Sequence, residues 1–377
     1  MSDLSCVLPP LTPDLGGAVS ALWPLGGLVT FHDAAGCLEN YVVYDEPRIR
    51  DSVSLVASSG LTAMDAITGN DDALIDAVVC ELSKQSVHFA AVIGTPVPAV
   101  LAADMDGIAA EIETRSGIPC IAVNSSSFYP YWDGAGAALT GLLKKIDLPA
   151  GGHAKGVNLI GATPLDFSEA MLRRTGRLLE KAGWHVHAVL SAGSSWDDLP
   201  KLREAGLNLA VSSCGVSPCA YLKQKYGMPY VRLLPLIPEQ AEQLGSAAGP
   251  SSPAALSPSE PENPAAADTL IVGEPVFAQS LAAALRLRRG WCCTVCSCAE
   301  PEREIAERCR SMRRVIGDPL YRPLCEKSTE FIGLPHFALS SHLFEAVDGA
   351  GILDGLLDSA AGPQSGLPSE FPVKSTV

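Results

Sequence analysis

The chain has 377 residues, which is more than a single hydrophobic core usually supports, so two or three domains are expected. Hydrophobic residues make up 47% of the sequence and charged residues 18%, a balance that favours packed α/β cores. The net charge of −15 argues against nucleic acid or an anionic membrane as a partner, because phosphate binding requires clustered lysine and arginine.

The amino terminus, MSDLSCVLPP, lacks the basic and apolar regions of a signal peptide. No apolar run approaches the ~18 residues that span a bilayer. We therefore expect a cytoplasmic protein with no membrane partner. In that compartment the 12 cysteines are expected to be free thiols or metal ligands rather than disulfides.

Two cysteines near the amino terminus are candidate metal ligands. Cys6 lies in the turn-rich segment SCVLPPLTPDLGGA, and Cys37 follows the apolar run LGGLVTF through the turn HDAAGC. A thiolate at a strand end is well placed to hold a soft metal, because the next helix N-terminus favours its negative charge. An iron–sulfur cluster needs four ligands, which two such chains facing each other would supply.

Apolar runs of strand length alternate with helical stretches through the rest of the chain. Strands are predicted in FAAVIGTPV, IPCIAVNS, GVNLIGATP, WHVHAVLSAG, LNLAVSS, MPYVRLLP, TLIVGEPV and WCCTVCS. Helices are predicted in VLAADMDGIAAEIETRSG, DFSEAMLRRTGRLLEKAG, SPCAYLKQKYG and FAQSLAAALRLRRG. This alternation indicates right-handed βαβ units and predicts an α/β protein of three doubly wound, Rossmann-like domains with mainly parallel sheets.

Composition places the domain boundaries. We predict an N-terminal α/β domain that carries the cluster cysteines at residues 1–150, a middle α/β domain at 151–244 and a C-terminal α/β domain at 268–360. Residues 245–267 are rich in proline, serine and alanine without periodicity and are predicted to be a disordered loop. Residues 361–377 are predicted to be a flexible tail.

The densest group of cysteines is Cys292, Cys293, Cys296 and Cys298. These residues either bind a second metal, since C-x-x-C has ligand spacing, or pack as small hydrophobic residues in a strand. In a strand, Cys293 would face one side of the sheet and the other three the opposite side.

Other cysteines have simpler interpretations. Cys80 and Cys120 lie among apolar neighbours and are predicted to be core residues. Cys214 and Cys219 flank the start of a predicted helix, whose N-terminus lowers a thiol pKa, so Cys214 is either a structural residue or a thiol that is reactive or contacts a cofactor.

Histidines and aromatic residues at strand ends are the remaining candidates. His32 is next to the turn that leads to Cys37 and is either a cluster neighbour or a structural residue. His336 either lines a substrate cleft in the last domain or caps a turn. His185 and His187 are expected on a half-exposed strand. The aromatic segment at 125–134, SSSFYPYWDG, either faces a ligand crevice at the carboxyl end of a strand or covers a loop.

No phosphate-binding loop occurs in the sequence, since GTPVPAV and GATPLDF do not match G-x-x-x-x-G-K-[ST]. Hydrolysis of ATP, if the reaction requires it, is therefore expected to take place in a partner protein.

An ordered set of phrases resembles the nitrogenase component 1 family. The segment HDAAGC, from His32 to Cys37, resembles its H-G-x-x-G-C phrase, and residues 92–128 are similar to its strand–helix–strand unit that ends in G-hydrophobic-P. GVNLIGATPLDF, KYGMPYV and IGDPLYRPL…FIGLPHFALS resemble phrases of its later domains. The resemblance covers nearly the whole chain in the order of the family, which includes the dark protochlorophyllide reductases and the nickel-sirohydrochlorin reductive cyclase.

The resemblance implies a cluster site. Cys6 and Cys37 match the first two cluster cysteines of the family, and His32, Asp33 and Gly36 belong to the same cofactor-binding phrase. The third cysteine is missing, because Thr95 is followed by Pro96. The implied cofactor is a [4Fe–4S] cluster at a subunit interface. Its remaining ligands would come from a second copy of the chain or from a paralogous component 1 chain, and Asp33 is a further possible ligand.

The resemblance also implies a function. The chain is expected to accept electrons from an ATP-hydrolysing P-loop iron protein and to pass them to a substrate between its domains. No match exists for the cysteine and histidine that anchor the large cofactor of molybdenum nitrogenase, so the substrate is not expected to be dinitrogen. One alternative is a non-catalytic scaffold or carrier of a tetrapyrrole or metallocofactor intermediate, and another is a solute-binding or chelatase-like protein without redox chemistry.

Overall fold

The computed structural model describes residues 5–34, 46–48, 53–149, 151, 153–247 and 267–358. Within these ranges, twelve strands form three four-stranded sheets in which all strand pairs are parallel. In each sheet the first strand lies between the second and the third, and the fourth is at an edge. This is the doubly wound arrangement, so the predicted fold class is confirmed.

The first sheet has the strand order β2-β1-β3-β4. Its strands are β1 (Leu28–Phe31), β2 (Leu55–Ser58), β3 (Ala90–Ile93) and β4 (Cys120–Val123). Its helices are α1 (Asp14–Leu22), α2 (Ala63–Thr68), α3 (Asp71–Leu82), α4 (Pro96–Leu101), α5 (Met105–Ser116) and α6 (Tyr131–Lys145). A 3-10 helix at Trp23–Leu25 connects α1 to β1.

The second sheet has the order β6-β5-β7-β8. Its strands are β5 (His153–Ala162), β6 (His185–Ser191), β7 (Ala205–Ala210) and β8 (Tyr230–Arg232). Its helices are α7 (Glu169–Lys181), α8 (Val216–Tyr226) and α9 (Pro238–Ala247), with 3-10 helices at Trp196–Glu204 and Ser213–Gly215.

The third sheet has the order β10-β9-β11-β12. Its strands are β9 (Thr269–Gly273), β10 (Cys293–Ser297), β11 (Arg314–Gly317) and β12 (Glu330–Gly333). Its helices are α10 (Pro275–Arg289), α11 (Glu302–Ser311), α12 (Phe337–Ser340) and α13 (Gly349–Leu357). Two 3-10 helices lie at Pro319–Leu324 and Ser341–Phe344.

The helix predicted after β3 is divided into two. Ala102 has a φ of 53° and ends α4, and the Asp104 side chain then accepts a hydrogen bond from Gly107 N to begin α5. A left-handed residue cannot continue an α-helix, so the chain changes direction at this point.

The hydrophobic core continues from one sheet to the next. One cluster joins Leu139 of α6 to Ile160 of β5 and Leu222 of α8, and a second joins Leu207 of β7 to Leu285 of α10. The second unit therefore shares apolar packing with both of its neighbours. In the described ranges, no helix is both long enough and apolar enough to span a bilayer.

Candidate functional site

A cluster of buried polar side chains lies where the three units meet. Tyr131 begins α6 of the first unit, Asp166 follows β5 of the second, and His336 follows β12 of the third. The Tyr131 hydroxyl donates a hydrogen bond to Asp166 Oδ1 and lies 3.2 Å from His336 Nε2. His336 Nε2 is 3.1 Å from Asp166 Oδ1. The three units thus share one hydrogen-bonded cluster.

Local backbone geometry fixes the position of Asp166. The turn after β5 is closed by hydrogen bonds from the N–H groups of Asp166 and Phe167 to the carbonyl of Thr163, at 3.1 and 3.0 Å. The Thr163 hydroxyl donates to Asp166 Oδ2 at 2.9 Å. The Asp166 side chain is 1% exposed, so its charge acts almost entirely on other protein groups.

A second carboxylate holds the His336 backbone. Asp318, directly after β11, accepts hydrogen bonds from His336 N at 2.7 Å and Leu320 N at 2.9 Å. The Ser340 hydroxyl donates to the His336 carbonyl at 3.1 Å. Burial raises the pKa of Asp318. The His336 side chain lines the junction and makes no capping hydrogen bond, while Asp318 holds its backbone.

The cluster strongly perturbs its own protonation equilibria. Burial opposes a charge on His336, but its hydrogen bonds to Asp166 and Cys298 outweigh that effect and raise the His336 pKa well above its ordinary value. Burial, followed by the charge of Asp166, raises the Tyr131 pKa well above its ordinary value. These shifts favour an imidazolium at His336 and a neutral phenol at Tyr131.

Glu274 is a second buried acid at this junction. It directly follows β9, caps the N-terminus of α10, and accepts hydrogen bonds from Phe277 N at 2.7 Å and Val276 N at 3.1 Å. It also accepts from the backbone N–H of Ser213 at 2.8 Å, across the boundary between the second and third units. Burial and then the charge of Asp166 raise the Glu274 pKa to about 7.

Two cysteines line the same junction. The Cys214 Sγ lies 3.8 Å from Asp166 Oδ2 and 3.9 Å from the Thr163 hydroxyl. Cys214 is fully buried, and burial raises its pKa well above the ordinary value. Of the two interpretations of Cys214, the structure favours a structural residue, because burial raises its pKa and opposes activation by the helix. Burial also raises the pKa of Cys298, which is hydrogen-bonded to His336.

The junction is closed. A cavity of about 30 Å³ lies beside Asp166, Glu274 and His336 and is otherwise lined largely by apolar residues. This volume holds about one water molecule, so an organic substrate enters only if the surrounding segments separate.

The first unit brings His32 and Asp33 together with Ser59 at the carboxyl end of β1. The Ser59 hydroxyl lies 3.0 Å from His32 Nδ1 and accepts from Asp33 N at 3.1 Å. Both His32 and Asp33 are buried. Burial lowers the His32 pKa despite nearby carboxylates, of which Asp71 has the largest effect. A cavity of about 330 Å³ opens beside His32, between β1 and α3.

Of the two predicted cluster cysteines, the structure describes only Cys6. Cys6 is exposed, and the Glu302 carboxylate at the start of α11 holds its segment by accepting from the N–H groups of Cys6, Val7 and Leu8 at 2.8–3.1 Å. Gly36 and Cys37 lie outside the described residues. Among the described residues, no group of three or more His, Cys, Asp or Glu side chains is arranged to hold a metal ion.

The position of the missing third cysteine has a structural role. Thr95 is buried, and its hydroxyl donates to the His32 carbonyl at 2.8 Å, which ties the end of β3 to the end of β1. Pro96 occupies the first position of α4, where its fixed φ suits a helix start.

The remaining cysteines are mostly structural. Cys293 packs in one core cluster, and Cys296 and Cys298 pack in another, on opposite faces of β10 as predicted. Cys120 is buried as predicted, whereas the prediction for Cys80 is wrong, because it lies on the exposed side of α3. In the aromatic segment, Tyr131 is fully buried while Phe128 is 81% exposed, so the segment contributes one residue to the junction.

The sequence interpretation missed Asp166 and Glu274. Both are acids just after a buried strand, in the phrases GATPLDF and VGEPV. An acid at the carboxyl end of a parallel strand and before a helix is the signal that identifies them.

This chain matches one family model and is similar to several known proteins. Residues 14–241 match the family model of nitrogenase component 1 type oxidoreductases. A light-independent protochlorophyllide reductase subunit from Chlorobium phaeobacteroides is 42% identical over 82 residues, or 21% of this chain and 15% of that protein. The corresponding subunit from Gloeothece citriformis is 35% identical over 96 residues, or 25% and 19%. The match thus spans about a fifth or less of these relatives.

Two solved structures have a similar fold. Nitrogenase Cp1 at pH 6.5 superimposes with a TM-score of 0.60 and 14% identity, over 89% of this chain and 87% of that chain. Nitrogenase Cp1 at pH 5 superimposes with a TM-score of 0.54 and 13% identity, over 90% and 71%.

Proposed function

Because this chain belongs to the nitrogenase component 1 type family of oxidoreductases, we propose that it is the electron-accepting, catalytic component of a two-component, ATP-dependent reductase. Its partners are a P-loop iron protein and either a second copy of the chain or a paralogous component 1 chain. The substrate is reduced at the junction of the three units and is not dinitrogen.

The buried cluster of Tyr131, Asp166 and His336 carries this proposal. Reduction of an organic substrate usually adds protons together with electrons, and buried groups with perturbed pKa values are typical of such sites. Here the imidazolium of His336 and the phenol of Tyr131 both direct a proton at Asp166. Glu274, whose pKa is about 7, is half protonated near neutral pH.

Each residue has a separate role in this proposal. His336 is the proton donor as an imidazolium, Asp166 accepts from its Nε2–H and so orients and stabilises the ring, and Tyr131 holds Asp166 in place. Glu274 supplies a further proton from the side of Ser213. Closure of the junction to about one water excludes solvent, so protons are delivered by these side chains and not by bulk water.

A [4Fe–4S] cluster fits this chain as a shared group. Cys6 is exposed, as a ligand that faces a second chain must be, and Pro96 stands where the family has a third cysteine. In a homodimer, Cys6 and Cys37 of each chain would supply all four ligands, and with a paralogous chain Asp33 or a partner residue would complete the set. When bound, such a cluster supplies electrons one at a time.

The test is anaerobic reconstitution with an iron protein from the same organism, with ATP and dithionite. Cys6→Ser and Cys37→Ser should lose both iron and reductase activity, whereas Cys80→Ser, at an exposed cysteine on α3, should retain both. His336→Ala and Asp166→Asn should keep iron but lose most product formation. Iron content near zero, both for the chain alone and with any component 1 partner, would refute the proposal.

A carrier of a tetrapyrrole or metallocofactor intermediate is the second candidate, favoured by the replacement of the third cluster cysteine by the Thr95–Pro96 pair. Turnover distinguishes the two functions. A reductase consumes ATP and dithionite when mixed with its iron protein, and a carrier binds and releases its cargo without consuming either.

A further inference from the structure

Two cysteines of the third unit lie side by side outside the junction. Cys309 is fully buried on α11, and Cys325 is half-buried directly after the 3-10 helix at Pro319–Leu324. Their thiols are hydrogen-bonded to each other. The Cys325 Sγ also lies 3.5 Å from the carbonyl oxygen of Tyr321. Two thiols in direct contact, one of them accessible to solvent, are the first requirement of a redox pair.

The surroundings of the pair are asymmetric. The pKa of Cys325 is lowered by the hydrogen bond from Cys309 and by the Arg322 guanidinium, which together outweigh burial. The hydrogen bond to Cys325 and burial raise the pKa of Cys309. Cys325 is half-buried and lies near Arg322, whereas Cys309 is fully buried, so Cys325 is the thiol placed to react with a reagent from solvent. This division matches that between an attacking and a resolving cysteine.

Three other cysteines, Cys120, Cys293 and Cys296, are buried and lack this environment. Burial raises the pKa of Cys120 and Cys293 to about 12 and that of Cys296 to about 11. Such thiols are neutral at physiological pH and react slowly. Unlike these three, Cys325 is partly accessible to solvent and has a second thiol beside it.

We propose that Cys309 and Cys325 form a reversible disulfide when the protein meets a peroxide. The Cys325 thiolate attacks one peroxide oxygen, the O–O bond breaks, and a sulfenic acid and water form once a proton is taken up. The Cys309 sulfur then attacks the Cys325 sulfur, the S–O bond breaks, and a second water leaves. Both thiols are oxidised by one electron each, and the peroxide is reduced by two. A dithiol reductant reverses the step by thiol–disulfide exchange.

The disulfide would join α11 to the chain that follows β11. The loop that it closes contains β11, and the same helix begins with Glu302, which holds the segment of Cys6. The disulfide is therefore expected to stabilise the third unit, and its formation does not require the proposed reductase activity.

Peptide mass spectrometry tests the proposal. Cleavage after Glu307 and Glu326 gives the peptide 308–326, which contains both cysteines and no others. After treatment of the anaerobically purified chain with stoichiometric hydrogen peroxide and alkylation of remaining thiols, most of this peptide should be two hydrogens lighter and unalkylated. Oxidation of Met312 adds an oxygen and is distinguishable by mass.

Variants and reaction rates complete the test. Cys309→Ser and Cys325→Ser should each abolish the lighter peptide, whereas Cys292→Ser, at another half-buried cysteine of the third unit, should retain it. In the wild type, which avoids any folding defect, iodoacetamide below pH 8 should label Cys325 faster than Cys292. A peptide alkylated on both cysteines after peroxide, sulfinic acid on Cys325 without pairing, or a disulfide from Cys309 to Cys296 would overturn the proposal.

Discussion

At the scale of single residues, removal of the Tyr131 hydroxyl is expected to lower the free energy of unfolding. Tyr131→Phe keeps the packed ring but removes a donor from Asp166, whose side chain is 1% exposed. Loss of a partner from a buried charged group costs about 1–3 kcal/mol, so we expect that decrease in the free energy of unfolding in urea. Tyr129→Phe, at a residue that is 62% exposed, should change it by less than ~0.5 kcal/mol. Equal effects of the two variants would contradict the role assigned to Tyr131.

Glu274 gives a pH-dependent prediction. Its carboxyl has a pKa of about 7 in the folded protein against 4.5 as the reference value, so the folded state retains a proton that the unfolded chain loses. The resulting stabilisation is complete below pH 4.5 and declines as the pH rises to about 7, by roughly 3 kcal/mol in total.

The Glu274→Gln variant tests this effect because its amide does not titrate. Thermal unfolding of wild type and variant should be compared between pH 4.5 and 7.5. The stability of the wild type relative to the variant should fall across that interval. A difference that is independent of pH would show that Glu274 does not hold the proton.

The sequence alone identifies several of these residues but does not show that they lie close together in the folded protein. His336 stands out at a strand end, and Cys214 and Cys298 stand out as candidate thiols. Their convergence with Asp166 depends on the relative placement of three sheets, because Asp166 and His336 lie 170 positions apart in the chain. Local patterns carry no information on such a distance. The raised pKa of Cys214 likewise depends on burial by the other units.

At the scale of secondary structure, the contact between α1 and α6 depends on two glycines. A Cβ on Gly134 would lie 1.7 Å from the Asp14 carbonyl oxygen, and one on Gly17 would lie 1.8 Å from that of Tyr131. Gly134→Ala should therefore push the helices apart and lower the free energy of unfolding by about 1–3 kcal/mol or more.

A second glycine of α6 is the matched control. A Cβ on Gly141 would be 3.7 Å from the Ile121 side chain, which is ordinary contact. Gly141→Ala should gain up to about 1 kcal/mol, because alanine favours the helix. Denaturant unfolding measures both variants. A loss at Gly141 that equals the loss at Gly134 would show that helix packing is not the cause.

Strands are easier to predict from this sequence than helix boundaries. The central strands Ala90–Ile93 and Thr269–Gly273 are fully buried, and their uninterrupted apolar runs indicate that state directly. The break at Ala102 escapes prediction because alanine is the best helix former and gives no local sign of a left-handed conformation. The exposure of Cys80 could not be predicted from its apolar neighbours, because residues adjacent in the sequence of a helix lie on different faces.

At the scale of the whole molecule, the core crosses the predicted domain boundaries, and those boundaries stay predictions. Leu139, Ile160 and Leu222 belong to one cluster, and Leu207 and Leu285 to another. The second unit thus shares apolar packing with both neighbours. Units that share a core lose packing when one of them unfolds, so unfolding should be coupled between them.

Calorimetry measures this coupling. The intact chain should unfold in one transition whose calorimetric and van't Hoff enthalpies agree. Leu139→Ala removes a side chain that is 1% exposed in the cluster shared by the first and second units, at a cost of about 2–5 kcal/mol. If the units are coupled, the variant lowers the midpoint of the whole transition, whereas Leu343→Ala, at a residue that is 70% exposed, leaves it in place. Independent units would instead give an early calorimetric peak for the first unit and an unchanged peak for the third. In that case the junction would also open without lowering the stability of the rest of the molecule.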